Sequence, residues 1–482
     1  MSNTTSVSAR ERIDSILDDN SFVEIGAGVK ARATDFNITA KNTLSDGVIT
    51  GYGVINGSLV YIYSQDAAVM NGTIGEMHAR KIAGLYDMAL KMGAPVIGLI
   101  DCAGIRLQEA TDALAGFGLV YKKMTEASGV IPQITAVYGN CGGGLAVLAG
   151  LSDFTFMEEK DAKFFVNSPN ALDGNYKEKL DTSSAKFQAE AGVVDFVGDA
   201  ETIANGVRQL VSILPANNED SALVDSTDDL NRACPDMLAE IADPALALTD
   251  ISDDGAFFEI KADYAKEMVT GFIQIDGATV GAVANRTAIF GDDGEKEKEY
   301  EPVLTVDGAY KAADFVNFCN AFEIPVVTLT TVKGFEASVR SEKSIAKAVA
   351  KLTYAFANAD VPKINVLVGQ AYGSAYVAMN SKSIGADITY AWSNASVGMM
   401  DADMAVKIMY ADEIAASSDV AATISEKTAE YAALQSSVES AAARGYVDTI
   451  INPEDTRKYI AASLEMLYTK REIRFDKKHG TV

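Results

Sequence analysis

The chain has 482 residues, 48% of them hydrophobic and 22% charged, with a formal charge of −26 at pH 7. The length calls for two or three domains and the composition excludes a disordered chain. The acidity excludes nucleic acid and anionic membrane surfaces as general partners, since both need a basic face, so an anionic ligand requires a local basic patch.

The opening MSNTTSVSARERIDSILDDN has no apolar core of the signal-peptide kind, and no later stretch approaches membrane-spanning length. The expected location is the cytoplasm. GVITGYGVINGSLVYIYS, Gly47 to Ser64, reads as β-rich. In ARKIAGLYDMALKM the apolar residues Ile82, Leu85, Met88, Ala89 and Met92 have helical spacing. Its ALKM lies inside that helical period and reads as ordinary helix. The strand VIGLI follows, then a helix, then the strand QITAVY, and strand–helix–strand alternation implies an α/β fold with mainly parallel pairing.

At Gly139 to Met157, GNCGGGLAVLAGLSDFTFM runs from that strand through three glycines into a helix. Backbone N–H groups at a helix start lack intrahelical acceptors, and without Cβ atoms an anion can approach them. The pattern points either to oxyanion stabilisation or to close packing of helix on strand.

The repeat favours the first. APVIGLIDCAGI around Pro95 matches IPVVTLTTVKGF around Pro325, and IPQITAVYGNCGGG around Pro132 matches VPKINVLVGQAYGS around Pro362, both 230 residues apart. SFVEIGAGVKA at Ser21 echoes AFFEIKADYAK at Ala256. The chain is two copies of one domain, expected at 1–235 and 236–482. They are joined through the polar, acidic NNEDSALVDSTDDLNRACPD. QAYGSAYVAMNSK in the second copy repeats the strand, small residues and helix, giving two anion sites.

The remaining signals are bland. Cys102, Cys141, Cys234 and Cys319 contain no C-x-x-C pair and read as buried thiols. No residue pattern supports a triad or metal site at His78 or His479, so no metal is expected. Arg80, Lys81 and Arg106 are either partners of ligand phosphates or solvated helix ends. DDGEKEKEYEP reads as an exposed loop, and Trp392 as core.

SFVEIGA, DGVITGYGVINGSLVYIYSQD, GEMHARKI, MGAPVIGLIDCAGIRLQE, LAGFGLVY, SGVIPQI, VPKINVLVGQAYGSAY, YAW and the tail RGYVDTIINPEDTRKYIAASLEMLYTKRE with KKHG occur in order along nearly the whole chain. Together they resemble the carboxyltransferase subunits of biotin-dependent acyl-CoA carboxylases, such as propionyl-CoA carboxylase β, and the related α subunits of acyl-CoA decarboxylases. The resemblance implies two tandem crotonase-like (ClpP/crotonase) domains, the first receiving acyl-CoA and the second biotin. It further implies an active site formed between the first domain of one subunit and the second of another, in a hexamer built as a trimer of dimers.

By the same resemblance, Gly143 and Gly144 donate to a thioester enolate and Ser374 and Ala375 to the biotin ureido oxygen, with Tyr372 beside it. Gly104 and Gly334 supply companion N–H groups and Val377 borders the acyl chain; Arg80 and Arg106 are offered to the CoA phosphates on the ground of their charge alone, with solvated helix ends the equal alternative. Biotin must arrive on a separate carrier protein. The further partner is a biotin carboxylase or, in a sodium-pumping methylmalonyl-CoA-type decarboxylase running the reverse half-reaction, a membrane subunit. A non-catalytic acyl-CoA-binding scaffold is the alternative of another class. The sequence departs from the family at Ser374, where glycine is usual, at Thr331 to Phe335 (TVKGF for Asp-Val-Pro-Gly-Phe), and after FFVNSP, where NALDGNYKEKLDTSSAKF stands.

Overall fold

The computed structural model describes residues 7–32, 43–223, 225–291, 293–472 and 477. The chain separates into two units, Met1–Ala222 and Leu223–Val482.

In the first unit, helix α1 (Ala9–Ile16) precedes an antiparallel meander of β1 (Val23–Ile25), β2 (Val48–Ile55) and β3 (Ser58–Gln65). Asn56 and Gly57 close the β2–β3 hairpin with φ of 50° and 83°, the left-handed pair that matches the twist of the flanking strands. From β3 onward pairing is parallel: β3 with β4 (Val96–Cys102), β4 with β5 (Gln133–Gly142), and β5 with β6 (Phe154–Glu158). The far end of β5 also takes β7 (Lys163–Phe165), and β6 takes β8 (Phe196–Gly198). Helices α2 (Glu76–Met92) and α3 (Ala110–Ala127) make the crossovers flanking β4.

Helix α2 buries Ile82, Leu85, Tyr86 and Ala89. Fully burying a large apolar side chain is worth roughly 1.5–3 kcal/mol, so this face holds the helix on the sheet. Met92 does not join it: the helix stops there, with Gly93 left-handed at φ 60°, and Met92 is 60% exposed.

The second unit repeats this plan with β9 (Phe258–Ile260), β10 (Met268–Ile275) and β11 (Ala278–Asn285), then the parallel strands β15 (Val326–Val332), β17 (Lys363–Tyr372), β18 (Ile388–Trp392) and β20 (Thr449–Ile451). The two sheets have the same order, β1-β2-β3-β4-β5-β6-β8 and β9-β10-β11-β15-β17-β18-β20. Strand β19 (Ser396–Gly398) pairs with β17 as β7 does with β5. Trp392 is fully buried and donates to Thr456 Oγ1 at 3.0 Å, as expected of a core residue.

Two features differ from the sequence reading. The segment expected as a loop at 292–302 contributes β13 (Lys296–Glu299), which pairs with β12 (Ala288–Phe290) and leaves all four of its residues exposed. Its alternating charges guard an open edge rather than mark a loop. The division of the chain falls earlier than position 235 because residues after Leu223 attach to the second unit. Cys234 is buried there and its N–H reaches Glu454 O, while fully buried Arg457 donates to Asp229 O, Asp253 Oδ1 and Ile251 O. No helix among the described residues is long and apolar enough to cross a membrane.

Arg457 pins this segment, and Asp253, its partner at 2.7 Å, is 3% exposed. Arg457→Met leaves that carboxylate buried without its cation and should cost about 3–5 kcal/mol. We expect a lower thermal midpoint and faster tryptic cleavage after Arg232. Unchanged cleavage would mean that Arg457 does not hold the segment.

Candidate functional site

The loop after β4 and the turn after β5 lie side by side because of a bulge. Ile100 pairs with Val137, but the next paired residues are Cys102 and Cys141. Asp101 alone therefore faces Tyr138, Gly139 and Asn140. In the second unit Thr330 pairs with Leu367 and Val332 with Ala371, so Thr331 alone faces Val368, Gly369 and Gln370. Both bulges need glycine opposite the single residue. A Cβ at Gly139 would overlap the Asp101 carboxylate, and one at Gly369 would lie 2.6 Å from Thr331 Oγ1. Bulges of this kind re-aim a strand and concentrate beside active sites.

Beyond the bulge, β5 pairs with β7 and ends at Gly142, and Gly143 turns the chain at φ 60°, ψ −120°, a conformation open only to glycine. Helix α4 (Gly144–Ala149) begins there. Across the bulge, Gly104 has φ 109°. A Cβ on either Gly104 or Gly143 would meet nothing within 4 Å, so both glycines border open space.

The donors are more restricted than the sequence suggests. The Gly143 N–H is already spent on Phe165 O at 2.8 Å, and the Gly104 N–H points to Cys102 Sγ at 3.3 Å. At the start of α4, Gly144 N–H has no acceptor among the described residues. Gly144 is instead anchored through its carbonyl, which accepts from Tyr121 Oη at 2.6 Å. With only six residues, α4 adds little dipole, so the anion-binding capacity is local and directional.

In the second unit the same turn is made by Gly373 at φ 62°, and helix α5 (Gly373–Ala378) follows. Glycine is therefore needed at 373 and not at 374: Ser374 sits inside the helix without positive φ, keeping its N–H at an exposed helix start. Residues 144 and 145 stand 230 positions before Ser374 and Ala375, so this register makes Gly144 and Leu145 their counterparts. Tyr372 is buried, its hydroxyl 2.9 Å from Ser396 Oγ. Gly334 lies in the short strand β16 (Gly334–Phe335), which pairs with β14 (Val303–Leu304), and a Cβ there meets nothing within 4 Å. Val377 is 36% exposed on the same helix as Ser374.

The basic residues divide. Arg106 is 1% exposed and bonds to Asp46 Oδ1 (2.6 Å), Glu109 Oε1 (2.7 Å) and Thr73 O (2.7 Å). It is an internal tie and does not face a phosphate. Lys81 donates to the Ser45 carbonyl at 3.0 Å and to Val48 O, and burial lowers its pKa to about 8. Arg80 remains on the surface, paired to the partly buried Glu76 at 2.8 Å.

His78 is fully buried, its backbone N–H bound to Asp46 Oδ2 at 2.8 Å and its Nδ1 2.9 Å from Asp46 O. Burial, reinforced by Arg106, lowers its pKa to about 3, so it stays neutral and is no base for substrate. His479 lies outside the described residues. All four cysteines are buried and free, and burial lifts Cys102 to about 12.

The bulge and Arg12, which pairs with Asp101 at 2.8 Å, were missed in the sequence. The available signal was glycine recurring at 139 and 369, 230 residues apart.

The chain matches a model of the carboxyl transferase domain over residues 4–482. It is 38% identical to the carboxyltransferase subunit of propionyl-CoA carboxylase from Haloferax mediterranei, covering 99% of this chain and 93% of that one. It is 37% identical to the α subunit of methylmalonyl-CoA decarboxylase from Propionigenium modestum, with the same coverage. Among solved structures it resembles the transcarboxylase 12S hexamer with methylmalonyl-coenzyme A and methylmalonic acid bound, at a TM-score of 0.91 and 36% identity over 98% of this chain and 92% of that one.

The titration of His78 gives a test of its structural role. An unfolded histidine takes up a proton below pH 6.5 whereas the folded one resists to about 3, so folding stability falls as pH drops through that window. His78→Gln should flatten the acid limb of the stability profile between these values. An unaltered limb would show that His78 does not titrate as described.

Proposed function

The chain belongs to the carboxyl transferase family, and on that premise we propose that it moves a carboxyl group between carboxybiotin and a short-chain acyl-CoA, acetyl-CoA or propionyl-CoA, through an enolate held by backbone N–H groups. The single observation carrying this reading is the duplicated bulge and left-handed glycine turn, which set Gly144 and Ser374 at equivalent helix starts. Its two tandem crotonase-like domains supply one such turn each.

Gly144, with Leu145 as its register neighbour, receives the thioester oxygen. Gly104 and Gly143 keep the approach free of side chains. Ser374 and Ala375 receive the ureido oxygen, with Gly334 as the open wall and Tyr372 fixed behind them by Ser396. The open Cβ positions at Gly143 and Gly334 suit flat groups packed against backbone. Carboxybiotin, when bound, would supply carbon dioxide and, once that has left, a ureido nitrogen base for the α-proton. The protein's share is to stabilise charge on both oxygens. Arg80 is the surface cation offered to CoA phosphate, and Val377 borders the acyl group.

We place biotin on a separate carrier protein and the protein itself in a cytoplasmic homo-oligomer, a hexamer. A biotin carboxylase is the expected further partner. The decarboxylase relative supports a second reading with the same half-reaction reversed and a membrane subunit as partner. The intact turns in both units disfavour a non-catalytic scaffold.

Transfer of labelled carboxyl from methylmalonyl-CoA or malonyl-CoA to free biotin tests the function. Transfer from one thioester is expected, and none from either would overturn it. Ser374 tests the use of backbone: Ser374→Ala should leave kcat within a few-fold. Ser374→Pro, tolerated in a first helical turn but lacking the N–H, should lower it by about 10²–10³. Equal rates for the two variants would remove Ser374 N–H from the site.

A further inference from the structure

We propose that Arg12 is a positioning residue for the acyl-CoA half of the reaction: through Asp101 it straps helix α1 to the bulge that sets the spacing between Gly104 and the Gly143–Gly144 turn. This rests on the function assigned above to that turn.

The two bulges have the same backbone and different fillings. In the second unit the single residue is Thr331, neutral, with its N–H bonded to Asn285 Oδ1 at 3.1 Å. In the first it is Asp101, whose Oδ2 accepts from Arg12 Nη2 at 2.8 Å. The Arg12 side chain is 5% exposed and that of Asp101 17%. The Arg12 guanidinium also lies 5.1 Å from the centre of the Tyr138 ring, so it touches both sides of the bulge: Asp101 on β4 and Tyr138 on β5. Asp101 in turn fills the space beside Gly139. Four residues beyond Gly139 is Gly143, and three beyond Asp101 is Gly104.

The strap is built from a distant part of the chain. Arg12 is on the buried face of α1 with Ala9, Ile13 and Ile16, and Ser8 and Glu11 form a capping box that fixes the start of the helix. A buried ion pair contributes little net stability over an apolar replacement, yet it is costly to halve and it fixes geometry. The fold has no need of a charge here, since Thr331 fills the equivalent bulge without one. What the pair adds is one fixed direction for the bulge, and donor placement near 1 Å matters to rate by about 100-fold.

The test compares Arg12→Gln, Arg12→Lys and Asp101→Asn in the full-length protein, with methylmalonyl-CoA and free biotin as substrates. Arg12→Gln should lower kcat by about 10- to 100-fold, with both KM values within about twofold. Arg12→Lys should recover part of the loss, and Asp101→Asn should fall between wild type and Arg12→Gln. Amide exchange gives a second readout: residues 101–106 and 139–146 should exchange faster in Arg12→Gln, while 331–336 and 369–376 stay unchanged.

Unchanged kcat and unchanged exchange in Arg12→Gln would overturn the proposal. So would a loss shared equally by both sets of residues, or one that Arg12→Lys does not relieve, since those mark a general fold defect. If Arg12→Gln does not fold, Asp101→Asn decides by the same two readouts. If the wild-type protein transfers no carboxyl group, the functional reading fails, and the exchange contrast still decides whether Arg12 sets the bulge.

Discussion

Asp101 fills the space where a side chain at position 139 would go, and the local course of β5 follows from that exclusion. The strand makes room by spending three residues against one, so Cys141 comes level with Cys102 and the end of β5 swings to pair with β7. The Gly143 turn then has one available direction, fixed by its N–H bond to Phe165. The second unit reaches the same geometry with Thr331, Gly369 and β19. A shared backbone device filled by different side chains indicates that what both halves preserve is the path of the main chain.

That answers how a chain of charge −26 can hold developing anions. Its nearby cations are committed elsewhere: Arg106 to Asp46 and Glu109, Lys81 to carbonyls, Arg12 to Asp101. On the function proposed above, the site instead uses amide N–H groups, which do not titrate in the working pH range. They are placed before substrate arrives, so no reorganisation is needed as charge builds on the oxygen. Glycine serves two separate purposes here. At 143 and 373 it allows the left-handed turn, and at 139 and 369 it leaves room for a neighbour.

Much of this was legible in the sequence. The 230-residue repeat located both sheets, the helical spacing around Ile82 and Leu85 located α2, and the glycines marked the two positive-φ turns. What stayed hidden depends on partners far along the chain. Nothing local to GNCGGG says that the Gly143 N–H is taken, because its acceptor is on a three-residue strand more than twenty positions later. Arg106 reads as a surface cation because one of its two carboxylate partners, Asp46, is sixty residues upstream. Arg12 sits in an ordinary amphipathic helix, and only tertiary packing brings it to Asp101. The charged run at Lys296–Glu299 points the other way, since a strand with all its residues exposed has the composition of a loop.

The most direct measurement of the central claim is a crystal structure with methylmalonyl-CoA bound. The thioester oxygen should lie within about 3 Å of the Gly144 nitrogen, with no side-chain acid in reach of it. A thioester oxygen held instead by a side chain, or lying away from the turn after β5, would contradict it.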